Sequence, residues 1–85
     1  MWYVYILKSR KYKNYIYIGL TNNIKRRLKE HNSYLSKLST ASYRPLELEA
    51  YIGVKKAWLA RNLEKYLKTG SGKAILKKRI LGQNK

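Results

Sequence analysis

This chain has few residue types with which to do chemistry. It holds no cysteine and no aspartate, a single histidine, His31, and four glutamates. A thiol nucleophile, a disulfide framework, a thiolate zinc site and a multi-histidine metal cluster are therefore excluded. What remains includes nine tyrosine hydroxyls, His31, four carboxylates and twenty Lys and Arg side chains. Arg27 and His31 are four residues apart, so on a helix they share a face. That face borders the apolar Ile24 and Leu28, whereas Lys25 and Lys29 point outward. An arginine on such a border is partly desolvated, which strengthens its hold on a phosphate and suits charge developing in a transition state. His31 reads equally as a proton relay and as a cation stabilised by a helix C-terminus. Three glutamates have ordinary roles: Glu30 stands four residues after Arg26, and Glu47 and Glu49 face outward from a strand. Glu64 lies at the edge of an apolar helical stripe beside Ala57 and Ala60. A carboxylate there serves a site or a salt bridge. Tyr5 and Tyr17, taken alone, read as half-buried strand residues with satisfied hydroxyls.

The 85 residues carry a net charge of +16. So many like charges repel one another unless a polyanion compensates them, and nucleic acid is the commonest such partner. No apolar run reaches the roughly 18–20 residues of a membrane span. The N-terminus, MWYVYIL, has neither the basic stretch nor the cleavage site of a secretory signal. A membrane-surface protein concentrates its charge on one amphipathic helix, whereas these cations run along the whole chain. The expectation is one domain over residues 1–85, cytoplasmic, touching phosphates and no membrane.

The elements that must position these side chains follow from periodicity. Residues 2–7 and 15–20 are apolar, β-branched and aromatic runs, which predicts a hairpin with 8–14 as its loop. The period of two puts Val4, Ile6, Ile16 and Ile18 on one face and Tyr3, Tyr5, Tyr15, Tyr17 and Gly19 on the other. With a turn centred near Lys11, Tyr5 stands opposite Tyr17. Residues 21–31 read as a helix capped by Asn22, with Ile24 and Leu28 buried. Residues 32–45 read as a surface loop. Residues 46–54 alternate as a third strand with Leu46, Leu48, Ala50 and Ile52 facing in. Residues 55–69 form a second helix with a stripe of Leu59, Leu63, Tyr66 and Leu67. Gly70 ends it, Ser71 caps a short third helix over 73–81, and 82–85 is a frayed tail. The fold class is α/β, a small three-stranded antiparallel sheet flanked by helices in the order ββαβαα.

Against that order, spaced motifs become specific. Tyr3-Val4-Tyr5 sits on the first strand and Tyr17-Ile18-Gly19 on the second. Arg27 follows ten residues after Tyr17, His31 one helical turn later, and Glu64 lies on the second helix. The chain resembles the GIY-YIG nuclease superfamily, in particular its small stand-alone bacterial members. The resemblance spans about residues 2–81 and is carried mostly by YIGLTNNIKRRLKEH (17–31), with STASYRPLEL (39–48) similar to their loop and third strand. Two departures are visible. Tyr3 stands where the first motif opens with Gly, and the DNA-recognition domains of larger relatives are not attached.

The resemblance implies a divalent-metal-dependent endonuclease that hydrolyses DNA phosphodiester bonds. Tyr5 and Tyr17 become its paired tyrosines, Arg27 its phosphate-facing arginine, and His31 the histidine of many members. Glu64 becomes the carboxylate that holds one Mg²⁺ or Mn²⁺, an oxygen-loving ion for which one carboxylate, waters and a substrate phosphate suffice. Two tyrosines beside an arginine lower each other's pKa, so Tyr17, helped by Tyr5 or His31, can deprotonate a water. Lys25 and Arg26, with the stripe Lys68, Lys73, Lys77, Lys78 and Arg79, form a rim that tracks the DNA backbone regardless of sequence. Lys8, Arg10, Lys11 and Lys13 add a basic hairpin tip. The expected partner is DNA, branched or damaged, with a protein partner supplying specificity. Two other classes fit the charge: a non-catalytic DNA- or RNA-binding module of the same fold, and a structural protein of a ribonucleoprotein.

Overall fold

The computed structural model describes residues 1–83, so Asn84 and Lys85, the end of the expected tail, lie outside it. Its elements are β1 (Trp2–Ser9), β2 (Ile16–Thr21), α1 (Ile24–Asn32), β3 (Leu46–Val54), α2 (Ala57–Leu67) and α3 (Gly70–Ile75). A short 3₁₀ turn, Ala41–Tyr43, precedes β3, and a π-helical turn, Leu76–Ile80, extends α3. The sheet is antiparallel in the order β2-β1-β3, which puts β1 in the middle. The α/β architecture expected from the sequence is the one observed.

The face assignment from strand parity holds. Val4, Ile6 and Ile18 pack with Ala60, Leu67 and Leu76, so α2 and the C-terminal helical segment cover that face. Tyr5, Leu7 and Leu46 pack with Tyr15, Tyr17, Leu28, Tyr43 and Leu48, under α1. The register is different from the expected one. Tyr5 pairs with Gly19 and Leu7 with Tyr17, because the hairpin is centred near Tyr12 rather than Lys11. A one-residue change in loop centre moves every cross-strand partner by two.

The third strand departs in a second way. Ile6 pairs with Ala50 but Leu7 pairs with Leu48, which leaves Glu49 as an extra residue on β3. Such an insertion reverses the inside-outside alternation beyond it. Leu46 and Leu48 therefore face α1, whereas Ala50, Ile52 and Val54 face α2. All four expected inward residues do pack, but on two different sides of the sheet.

The helices shift by small amounts. Asn23, not Asn22, caps α1, its side chain accepting from the Arg26 amide at 3.0 Å, a contact generally worth about 1 kcal/mol. In α2 the buried stripe is Ala60, Leu63 and Leu67, while Leu59 and Tyr66 are each 43% exposed. The small Ala60 is fully buried in that stripe, against Val4, Ile6 and Ile18 of the sheet. Gly70 opens α3 rather than ending α2, and Thr69 replaces Ser71 as its cap by accepting from the Gly72 amide. A Cβ on Gly72 would overlap the Tyr66 carbonyl, so the two helices meet there backbone to backbone.

Candidate active site

Three elements deliver side chains to the α1 face of the sheet. Tyr5 on β1 is 2% exposed, Tyr17 on β2 is partly exposed, and His31 at the end of α1 is 1% exposed. Their rings cluster at centroid distances of 6.1 Å for Tyr5–Tyr17, 5.8 Å for Tyr5–His31 and 5.0 Å for Tyr17–His31. The room for this cluster comes from Gly19. A Cβ there would overlap the Cζ and hydroxyl oxygen of Tyr5 and come within 2.8 Å of Tyr17 Cε2. Gly19, cross-strand from Tyr5, is thus the floor on which the Tyr5 ring lies.

The polar atoms form a chain. The Tyr5 hydroxyl is 2.8 Å from His31 Nε2, and His31 Nδ1 is 2.6 Å from Thr40 Oγ1. Thr40 is fully buried, so the neutral imidazole, with one N–H and one lone pair, satisfies both neighbours. Burial, aided by the charge of Arg27, holds the His31 pKa below its ordinary value. The reading of His31 as a helix C-terminal cation is therefore replaced by that of a neutral, doubly hydrogen-bonded ring. The Tyr17 ring packs against both Tyr5 and His31, and the Arg27 guanidinium lies close enough to Tyr5 to favour its ionised form. Burial dominates there and pushes the Tyr5 pKa up to about 12, against the stabilising pull of Arg27. The expectation that the tyrosines lower each other's pKa fails for Tyr5, whose O–H stays protonated through the neutral range.

Arg27 is half-buried at the border of α1, as its spacing predicts. It donates to Glu30 at 2.8 Å, a shorter pair than the expected Arg26–Glu30 contact at 3.7 Å. The carboxylate and the Tyr5 hydroxyl both favour its charged form and raise its pKa. Glu47 has a partner of its own in Arg10 at 3.0 Å.

Glu64 shares no hydrogen bond with this network among the described residues. It sits on α2, which packs on the other face of the sheet, and its carboxylate accepts from Lys68 at 3.2 Å with the side chain 18% exposed. The structure brings Tyr5, Tyr17, Arg27 and His31 together and leaves Glu64 outside their contacts. Among the described residues no group of three or more His, Cys, Asp or Glu gathers to hold a metal. One sheltered carboxylate is a poor resident site for zinc or calcium, but it fits Mg²⁺ or Mn²⁺, which keep waters and take further oxygens from phosphate. The rim cations Lys25, Arg26, Lys68, Lys73, Lys77, Lys78 and Arg79 are all exposed.

Two members of the cluster carry no role in the sequence reading. Gly19 is visible there as a glycine on the tyrosine face of a strand, the usual sign of close approach. Thr40 gives no such signal, because its contact with His31 depends on how residues 33–40 fold back. A family model described as the GIY-YIG catalytic domain matches residues 1–79. The chain belongs to the GIY-YIG family. A search of curated proteins finds no match. The family is one of nuclease-type domains, and the YIG glycine of this GIY-YIG chain is the Gly19 that seats Tyr5. No helix among its described residues is long and apolar enough to cross a membrane.

Proposed function

We propose that this GIY-YIG chain is a divalent-metal-dependent endonuclease acting on DNA, with its residues working as one catalytic domain in the cytoplasm. The observation that carries this reading is the hydrogen-bonded chain Tyr5–His31–Thr40 with the Tyr17 ring and Arg27 beside it, in a family of nuclease-type domains. Arg27, charged and half-desolvated, binds the scissile phosphate and stabilises the charge that builds on it. Tyr17, the more exposed tyrosine, is the general base toward the attacking water. Tyr5 keeps its proton and packs beside Tyr17, with 6.1 Å between ring centroids. Neutral His31 holds the Tyr5 hydroxyl in place through Nε2, while Thr40 fixes its other nitrogen. Glu64, although α2 covers the other face of the sheet, is the sheltered carboxylate that would hold Mg²⁺ or Mn²⁺, an ion that supplies Lewis-acid chemistry at phosphate. The exposed cations track the DNA backbone without reading sequence.

One observation favours a second reading, a nucleic-acid-binding module without catalysis: the Glu64 carboxylate is engaged by Lys68. A nicking assay on supercoiled, branched and single-stranded DNA separates the two. With Mg²⁺ or Mn²⁺ the chain should cut at least one substrate; EDTA or Glu64→Gln should abolish cutting while DNA binding survives. If wild type and Glu64→Gln cut equally, or neither cuts with either metal, the binding module replaces the enzyme.

A further inference from the structure

Next to the tyrosine cluster, on the same face of the sheet, lies an open groove of about 490 Å³ between the start of α1 and strands β1 and β3. Its floor is aromatic. Tyr3 and Tyr51 meet edge to face with ring centroids 5.7 Å apart. Tyr3 is held down over Gly53, where an added Cβ would lie 3.2 Å from its Cε1, much as Tyr5 lies over Gly19. Tyr51 is 56% exposed although it sits mid-strand and pairs directly with the buried Tyr5. Leu28 and Leu48 close the apolar wall, and Asn22 and Lys25 supply an exposed amide and an ammonium at the rim.

An exposed tyrosine on a chain of net charge +16 calls for an occupant that is both flat and anionic. A nucleotide is flat in its base and anionic in its phosphate, so it matches ring and charge together. Bases inside a duplex cannot reach a ring, because their faces are covered by neighbouring pairs, whereas an unpaired base offers its face freely. We propose that the groove binds one unpaired nucleobase of the DNA strand being cut, stacked on Tyr51, with the Asn22 amide at its edge and Lys25 at its phosphate. Directly opposed strand residues are about 5 Å apart. The stacked base therefore belongs to a nucleotide at or next to the phosphate that Arg27 holds. The preferred substrate is DNA with a locally unpaired base, such as a gap, a flap or a mismatch, rather than perfect duplex. This inference rests on the nuclease reading for the path of the strand, but the stacking itself is measured without cleavage.

The test uses the full chain in EDTA and two matched duplexes, one fully paired and one with a single unpaired 2-aminopurine. Wild type should bind the second on the order of tenfold more tightly, with quenching of the 2-aminopurine fluorescence. Tyr51→Leu keeps apolar bulk on the strand but lacks a π face, so it should lose both the preference and the quenching while holding paired duplex as well as wild type does. Tyr51→Trp should retain both. Equal wild-type affinity for the two duplexes, or a preference that persists in Tyr51→Leu, overturns the proposal. Metal-dependent cutting without any such preference removes the stacking site and leaves the nuclease standing. A preference without any cutting does the reverse.

Discussion

The Tyr5 hydroxyl and His31 Nε2 lie 2.8 Å apart although 26 residues separate them in sequence. A strand and a helix end are thereby tied together inside the candidate site, by two side chains that are both almost fully buried. Tyr5→Phe keeps the ring and its packing but removes the hydroxyl, leaving a buried imidazole nitrogen without its partner. Leaving a buried polar atom unsatisfied costs about 1–3 kcal/mol. Urea unfolding should show that loss at constant m-value, and a stability equal to wild type would mean the bond contributes nothing net.

Gly19→Ala is expected to damage the site more than a methyl group usually would. The new Cβ overlaps the Tyr5 ring terminus and crowds Tyr17 Cε2 at 2.8 Å, so at least one ring must move. Overpacking of this kind costs about 1–3 kcal/mol, or roughly 5–20 °C in Tm for a domain of this size. Cleavage assayed well below the variant's Tm should still be impaired, because the displaced groups are the ones that handle the proton. Unchanged Tm and rate would refute the close approach.

Acid should weaken the fold through His31. Its folded pKa lies below the unfolded value of about 6.5, so below that pH the unfolded chain binds the proton more readily than the native one. The contribution of His31 is complete above about pH 6.5 and is lost progressively as the pH falls from there towards the depressed native pKa. Being the only histidine, it gives a single imidazole titration by NMR. The midpoint should fall below 6.5, and Tm should decline between pH 7 and 5; a midpoint at or above 6.5 would contradict the buried neutral ring.

Arg27 and Lys25 should separate catalysis from binding. Arg27→Ala removes a half-buried guanidinium next to Tyr5 and should lower the single-turnover rate by on the order of 10²–10³-fold, while affinity for DNA changes less than about tenfold. Lys25→Ala removes an exposed rim charge and should weaken binding slightly while sparing the chemical step. Both are measured at one fixed salt concentration, since phosphate contacts vary steeply with salt. Equal effects of the two substitutions on rate would remove Arg27 from the reaction.

Much of this was readable from local rules. Strand parity alone placed Tyr5, Tyr17 and Gly19 on one face, because the side-chain period of a strand does not depend on its partners. The four-residue spacing likewise put Arg27 and His31 on one side of α1. What escaped depended on distances through space. The Tyr5–Gly19 register turns on where the loop between β1 and β2 bends, and the loop's composition does not decide that. The α2 stripe was misread because Ala60 weighs little in an apolar pattern yet is fully buried. Thr40 became visible only when the segment after α1 was seen to fold back onto His31. The salt bridge that the sequence offered as the alternative role of Glu64 is the i,i+4 pair with Lys68, the residue that caps α2.

The extra residue at Glu49 makes β3 tolerant at that one position of both substitution and deletion. Glu49 is exposed, so many side chains should be accepted there. Removing it would make Leu48 and Ala50 chain neighbours, opposite the consecutive Leu7 and Ile6 with which they already pair. Simple alternation would then leave Leu48 facing α1 and keep Ala50, Ile52 and Val54 in the α2 core, with Tyr51 still beside Tyr5. Losing any other single residue from the middle of β3 offers no such escape, because it shifts one flank against the other by one place and turns its side chains over. Across natural variants of this chain, a one-residue gap in β3 should therefore fall at Glu49 and not at its apolar neighbours.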